Sequence, residues 1–424
     1  MDFDMPPDDD PRRLAVRAWL AEHPRPTQAE LADAGYVVPH WPPPWGLGAD
    51  PVHQLVITEE LQRARAAEGG ARRAGAGSDT VRSNAIGIGW AAPTLLVAGT
   101  EEQKQRYLPP IFRCEEIWCQ LFSEPDSGSD LAGLSTRAVR DGDEYVITGS
   151  KIWSSGAHVA DFGILLARTD PDTPKHRGIS YFICPMHSPG VSMQPIVDMT
   201  TAHSFNQVFL DEVRLGSDLR VGAEGEGWRL AKVTLANERV SLSAGGSLWG
   251  EGPSAQDLLG LVRDGGGVEH PILRDRLAGL HIESELLRLN RLRTLSAKLT
   301  GRTPGPEASI QKLMSDQHGQ HVMGLAKDLA GAAGMLEGSG PAGTLTGHAR
   351  RGATEINFPR GDAGRFPDVE PVWHHGFLFS PALTIGGGTF AIQRNIVAEQ
   401  VLGLPREPDA EKGLSWTDTR ASRP

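Results

Sequence analysis

Glu226-Gly-Trp-Arg-Leu-Ala-Lys-Val-Thr-Leu-Ala-Asn-Glu-Arg-Val-Ser-Leu242 decides the fold, because the chain changes its period there. Trp228, Ala231, Leu235, Glu238 and Leu242 recur at steps of three and four, the inward seam of an α-helix. The seam is apolar except at Glu238. An unpaired carboxylate held out of water shifts its pKa up toward neutrality, and a general base working near pH 7 needs that property. The same pattern also fits an acid paired with an arginine from elsewhere, or one at the wet end of the seam. Periodicity alone leaves both readings open.

Upstream of this helix, from Trp118 to about Leu215, the period is two. Leu134 to Arg140, Tyr145 to Ile152, Phe162 to Ala167, Ile179 to Cys184 and Gln207 to Val213 alternate or run apolar over strand lengths, and Asp141-Gly142 is a hairpin turn signal. Before them, Arg12 to Glu22 and Val52 to Ala67 have helical spacing, and the proline-rich Pro39 to Trp45 is a rigid connector. After Gly227 the helical pattern returns at Pro271 to Thr300, Glu307 to Leu336 and Thr389 to Leu402, with a turn at Gly301 to Pro306. The expectation is a mainly α chain with a central β domain: helices over 1–115, a β domain over 116–226 and a helical bundle over 227–424. An acidic head and a polar tail flank these.

A chain of 424 residues can hold two or three packed domains. Its net charge of -11, with no long Lys/Arg block, argues against nucleic acid or an anionic membrane surface as main partner. No apolar run approaches the about 18 residues of a transmembrane helix, and the N-terminus lacks signal-peptide character. A cytoplasmic protein is expected. Cys114, Cys119 and Cys184 are too few for a disulfide framework or a zinc site.

Several motifs are weak on their own. Gly87-Ile-Gly89 lacks a preceding strand and has Ala92 at the third glycine position of a dinucleotide fingerprint. His318 and His321 share a helix face but have no further ligand pattern, and His374-His375 is likewise unpartnered. Gly386-Gly387-Gly388 is not followed by the Lys-Ser/Thr of a phosphate loop.

Gln120-Leu-Phe-Ser-Glu-Pro-Asp-Ser-Gly-Ser-Asp130 followed by Lys151-Ile-Trp-Ser-Ser155 resembles the paired flavin-site motifs of the acyl-CoA dehydrogenases. Further matches are Gly99-Thr-Glu-Glu-Gln-Lys-Gln-Arg-Tyr-Leu108, Glu238-Arg239, Gly388-Thr389, Gln393-Arg394-Asn395 and Leu402-Gly-Leu-Pro-Arg406. The resemblance runs from about residue 35 to 406. It implies an N-terminal helical domain, a middle β domain and a C-terminal four-helix bundle. It also implies FAD as cofactor, an acyl-CoA substrate of fatty acid or steroid side-chain β-oxidation, electron-transfer flavoprotein as electron acceptor, and a homo- or heterotetramer.

By position the resemblance assigns Gln120, Phe122, Ser123, Gly128, Ser129, Trp153, Ser155 and Thr389 to the cofactor, with Trp153 as an aromatic wall for a flat ring. Ser129, Arg239, Gly387 and Gly388 would meet the substrate. The family's reaction is α,β-dehydrogenation to a trans-2-enoyl-CoA: a carboxylate takes the α-proton, the β-hydrogen passes to flavin N5, and fixed donors hold the developing enolate oxygen. Most members carry the carboxylate in the terminal turn, where this chain has Gly387. A minority, including enzymes resembling isovaleryl-CoA and long-chain acyl-CoA dehydrogenases, place it on the helix after the β domain before an Arg, as in Glu238-Arg239. Arg239 would orient Glu238 or bind near the CoA, or is a helix-surface cation. Small residues at 386–388, Ala236 and Ser241 would leave room for a bulky, branched or polycyclic acyl group.

Three family features are missing. The Arg-x-x-Phe-Gly motif whose Arg reaches a neighbouring subunit's FAD pyrophosphate is absent from Asp257 to Pro271, where Arg263 is either a substitute or a helix-end cation. The Gln that often helps bind FAD is missing near Asp328 to Gly334, and Ala391 replaces a polar residue. A related subunit that supplies the missing cation would explain this. The alternatives are a half-site subunit without its own catalysis, and a flavin monooxygenase relative, which needs no inward Glu238.

Overall fold

The computed structural model describes residues 6–67, 84–242, 247–249, 252–265, 267–299, 305–331, 371–408 and 410–421. Helices come first: α1 (Pro11–Glu22), α2 (Gln28–Asp33), α3 (Pro51–Ala67), a π-helical turn at Gly87–Ala91, α4 (Ala92–Ala98) and α5 (Glu101–Phe112). Their starts are written in the sequence. Asp10 caps α1 ahead of Pro11, and capping boxes open α2 (Thr27 with Glu30) and α5 (Thr100 with Gln103). Gln103 also ties α5 to the β region, donating to the carbonyls of Asp218 at 2.6 Å and Arg220 at 3.0 Å.

The strands are β1 (Trp118–Leu121), β2 (Arg137–Asp141), β3 (Glu144–Lys151), β4 (Phe162–Arg168), β5 (Ile179–Pro185), β6 (Val191–Ile196), β7 (Phe205–Gly216) and β8 (Arg220–Val221). They form one sheet in the order β6-β7-β3-β2-β4-β5-β8, with β1 added parallel to β4. β4 and β5 are covered on both faces and therefore read as continuous apolar runs. Their residues divide by parity. Leu165, Ala167, Phe182 and Cys184 enter the core of the β domain, whereas Ile164, Leu166, Tyr181 and Ile183 face a second core shared with α4, α5 and the helix that follows the sheet.

That helix is α6 (Gly227–Leu242), followed by α7 (Ala255–Asp264), α8 (Pro271–Leu299), α9 (Ala308–Ala330), α10 (Pro371–Phe379), α11 (Phe390–Ile396), a π-helical turn at Val397–Val401 and α12 (Trp416–Ala421). A third core binds α7, α8, α9 and α10 around Leu258, Leu280, Val322 and Trp373. α6 packs on β5, α4 and α9, so it is the joint between the three regions.

Some expectations need correction. Leu134 to Thr136 are not strand; Leu131–Gly133 form a 3-10 turn, and β2 begins only at Arg137. β6 is an edge strand containing Pro195 with a weak burial pattern, and periodicity passes over it. The polar tail docks on the β domain: the Trp416 indole donates to Gly133 O at 3.2 Å, and the Arg168 guanidinium lies 4.6 Å from its ring centroid. The end of the helix expected to reach Leu336, most of the Gly301 to Pro306 turn, and part of the Asp328 to Gly334 segment lie outside the described residues.

Candidate active site

On α6 the buried face consists of Gly227, Leu230, Ala231, Thr234 and Glu238. Trp228, Leu235 and Leu242 flank it half-buried, so the seam lies slightly round the helix from the sequence expectation. Glu238 is at its C-terminal end and only 7% exposed. Gln120, on β1, donates from Nε2 to Glu238 Oε2 at 3.3 Å. Burial drives the carboxyl pKa up to about 7, against the opposing pull of the Gln120 hydrogen bond and the charges of Lys312 and Arg239. Arg239 is half-buried beside it; burial lowers its pKa while the Glu238 charge opposes that. Trp90, in the first π-helical turn, donates to Ser241 Oγ at 2.9 Å, and Ser241 donates to Glu238 O at 2.9 Å, fixing the backbone around the acid. Ser241 is thus engaged and Ala236 is on the exposed side of α6, so neither supports the expected room for a bulky group.

The loop after β1 and the turn after β3 are brought together. Ile152 N–H donates to Ser123 O at 2.8 Å. Beneath this contact lies a buried pair that sequence reading passed over: Lys151 Nζ is 2.8 Å from Glu124 Oε1 and 3.1 Å from Phe122 O. Glu124 also accepts from the backbone N–H groups of Ser135 (2.6 Å) and Thr136 (2.9 Å). Burial would raise the Glu124 pKa, but Lys151 and these donors hold it below the usual carboxylate range. Both residues stand inside the quoted motifs, so their identity was visible and their partnership was not.

Above that pair the loop surface is open. Gly128 has nothing within 4 Å of where a Cβ would sit, and Ser129 is exposed. Trp153 is 57% exposed with φ of 60°, held by an edge contact to Phe205 at 5.9 Å between centroids. An exposed indole on a left-handed backbone marks a candidate contact surface for a ligand or another subunit. Ser123 and Ser155 are half-buried beside it. The Phe122 ring is buried in the shared core, edge-on to Tyr181 at 5.9 Å, because the space behind β1 is apolar. Its side chain therefore does not line the open loop.

The glycine turn closes the site from the bundle. Gly387 and Gly388 have φ of 68° and 88°, and a Cβ on Gly387 would meet Leu242 Cδ1 at 2.6 Å and Lys312 Cε at 3.0 Å. Leu242 is one helical turn beyond Glu238, which places position 387 against the end of α6. Gln393, fully buried on α11, donates to Gly387 O at 2.9 Å and Gly388 O at 3.3 Å. Among the described residues the N–H groups of Gly387 and Gly388 have no partner. Thr389 caps α11, accepting from Ile392 N–H at 3.3 Å.

Other candidates stay apart from this site. Arg263 is exposed at the end of α7 and paired with Asp264 at 3.1 Å, the arrangement of a helix-end cation. His318 and His321 both turn Nδ1 to Glu283, each at 2.9 Å. His374 Nδ1 lies 2.5 Å from Lys327 Nζ. Among the described residues no group of three or more His, Cys, Asp or Glu side chains is placed to hold a metal.

The acyl-CoA dehydrogenase N-terminal, middle and C-terminal domain families match residues 11–115, 119–213 and 225–402. The chain belongs to the acyl-CoA dehydrogenase family. It is 35% identical to acyl-CoA dehydrogenase IpdE1 of Mycobacterium tuberculosis, over 92% of this chain and 88% of that protein. It is 38% identical to acyl-CoA dehydrogenase FadE34 of the same organism over 93% of this chain, which spans about half (48%) of that longer protein. Among solved structures, the steroid acyl-CoA dehydrogenase Tcur3481–Tcur3483 superposes with a TM-score of 0.70 at 29% identity, covering 96% of this chain and 100% of that chain. The ChsE4–ChsE5 complex of Mycobacterium tuberculosis gives 0.69 at 29% identity with the same coverage. Family members are FAD-dependent, and a fold neighbour at 20% identity is a glutaryl-CoA dehydrogenase in complex with FADH2 (TM-score 0.64, covering 96% of this chain and 97% of that chain). The exposed Trp153 ring and the open Gly128–Ser129 edge, with the glycine-turn N–H groups that have no partner among the described residues, leave polar and aromatic surface uncovered on this side of the chain.

Proposed function

We propose that this chain carries out the α,β-dehydrogenation of an acyl-CoA thioester, with Glu238 as the base that removes the α-proton. The observation that carries the reading is the buried Glu238, raised to about 7 and joined to Gln120. A carboxylate so placed is ionised often enough near neutral pH to accept a proton and basic enough to keep it. Gln120 orients the acid. In this reading the N–H groups at Gly387 and Gly388 would hold the thioester carbonyl oxygen as it gains enolate character, which makes the α-proton acidic. Trp153, Ser155, Ser123, Gln120, Gly128, Ser129 and Thr389 are the residues that would hold FAD, with Phe122 contributing only backbone. FAD, when bound, supplies the acceptor for the β-hydrogen, and electron-transfer flavoprotein would reoxidise it.

The physiological unit we propose is heteromeric, with a related subunit supplying the missing pyrophosphate cation, and its substrate is a bulky or steroid acyl-CoA. Support for the heteromeric unit comes from the exposed, Asp-paired Arg263 and from Ile282, Leu286 and Leu289, an exposed apolar row along α8; the substrate class rests on the steroid relative alone. The two-component relatives reported above point the same way. A reading as a half-site subunit draws on the same absent cation, but gives Glu238 no task. Glu238→Gln separates the two: loss of dehydrogenation with flavin retained supports catalysis here, and unchanged activity of the assembly refutes it. A homotetramer purified alone with one FAD per chain would refute the heteromeric part.

A further inference from the structure

We propose that Lys312 is a positioning residue for Glu238: a buried cation on α9 that sets the ionisation of the base from beside the Gly387 turn, where it packs next to the end of the Glu238 helix. This rests on the assignment of Glu238 as base. Lys312 is fully buried. Its ammonium has three donors; one meets Asp316 Oδ2 at 2.6 Å and one Leu383 O at 3.0 Å. Among the described residues the third has no partner. A Cβ at position 387 would be 2.6 Å from Leu242 Cδ1, 3.0 Å from Lys312 Cε and 3.6 Å from Lys312 Nζ, so the end of the Lys312 side chain and the end of the Glu238 helix are packed against the same glycine. A Cβ on Gly386 would meet the Trp249 ring at 2.5 Å, and the centroid of that ring lies 5.9 Å from Lys312 Nζ.

The charges around Glu238 are few. Its own helix gives Arg239; β1 gives the neutral Gln120; α9 gives Lys312 with Asp316 behind it. From β5, Tyr181 directs its hydroxyl to Thr234 at 3.1 Å, a turn earlier on α6. From β4, Arg168 is engaged with the carbonyls of Ala132 and Leu134. The first π-helical turn and α4 carry no titratable side chain. Lys312 is thus the cation that reaches Glu238 from a different element.

A base buried without such help remains protonated at neutral pH and cannot act. Burial also pulls the Lys312 pKa down, and Asp316 opposes that. Asp316 therefore keeps the ammonium charged when Glu238 takes up the substrate proton and becomes neutral.

The test is an infrared pH titration of the purified holoprotein, following the carboxylic-acid C=O band identified by its loss in Glu238→Gln. Lys312→Met removes the cation. Lys312→Met/Asp316→Leu removes the pair and leaves no orphan charge, which preserves folding where the single variant fails. Both should move the band's midpoint upward by about one pH unit or more, the usual effect of losing a neighbouring opposite charge, and Lys312→Arg should restore it. A midpoint unmoved in the folded double variant, or displaced as far in Lys312→Arg as in Lys312→Met, overturns the inference. If Glu238→Gln itself still bleaches its flavin with acyl-CoA, it is the assignment of the base that fails.

Discussion

Gln120 Nε2 stands 3.3 Å from Glu238 Oε2, linking the first strand of the β domain to the helix that leaves it. The contact joins the strand that leads into the proposed cofactor loop to the acid that would take the substrate proton. A neutral donor favours the charged form of a carboxylate, so it works against the burial that raises Glu238. The base is balanced between these two influences.

Replacing Gln120 by Leu removes the opposing donor. The Glu238 pKa should rise above about 7, and the acid limb of the kcat/KM profile should move to higher pH. In the wild type that limb should lie near pH 7, with activity expected above it and lost below. Stopped-flow flavin bleaching between pH 5.5 and 9 measures both, and a limb unmoved in Gln120→Leu contradicts the role given to the contact.

Glu238 should also cost stability. Its pKa goes from an ordinary 4.5 to about 7, so between these values the folded chain retains a proton that the unfolded chain has released. Stability therefore falls as pH rises through that window. Above it the ionised acid costs on the order of 3 kcal/mol. Thermal melting should show Glu238→Gln more stable than wild type at pH 8 and nearly equal to it at pH 4.5. Equal melting at both would mean that the acid is not desolvated.

Glu124→Gln breaks the pair that clamps the two loops and leaves the Lys151 ammonium buried without its counter-charge. Such losses cost about 3–5 kcal/mol. We expect a lower melting temperature and a protein that purifies with less flavin, both read on one sample by calorimetry and visible absorbance. A wild-type melting profile contradicts the clamp.

Trp153→Ala should lower flavin binding without lowering stability. The ring is exposed on a left-handed backbone, so the apo-protein should melt no lower than wild type. Flavin affinity should fall by about 1 kcal/mol, roughly fivefold in Kd, through the lost aromatic face. Fluorescence titration of the apo-protein with FAD checks this.

Much of this was legible where a local rule governs. β4 and β5 announced themselves as apolar runs, and α6 as a seam with one acid in it. What stayed hidden was long-range. Lys312 and Asp316 stand one helical turn apart and read as a surface pair; only the packing of α9 against α6 and the Leu383 segment buries them. Glu124 and Lys151 were in plain view, but their pairing follows from strand order. Trp416 reads as part of a polar tail until the β domain it docks on is known.

The most direct measurement is the rate of flavin bleaching after rapid mixing with acyl-CoA, for wild type and Glu238→Gln in the complete assembly. Octanoyl-, isovaleryl- and a steroid acyl-CoA are the substrates to compare. The account predicts that wild type bleaches fastest with the steroid thioester, and that Glu238→Gln keeps its flavin yet slows by roughly 10²- to 10⁴-fold, the usual contribution of a general base. Bleaching at the wild-type rate in Glu238→Gln would contradict it.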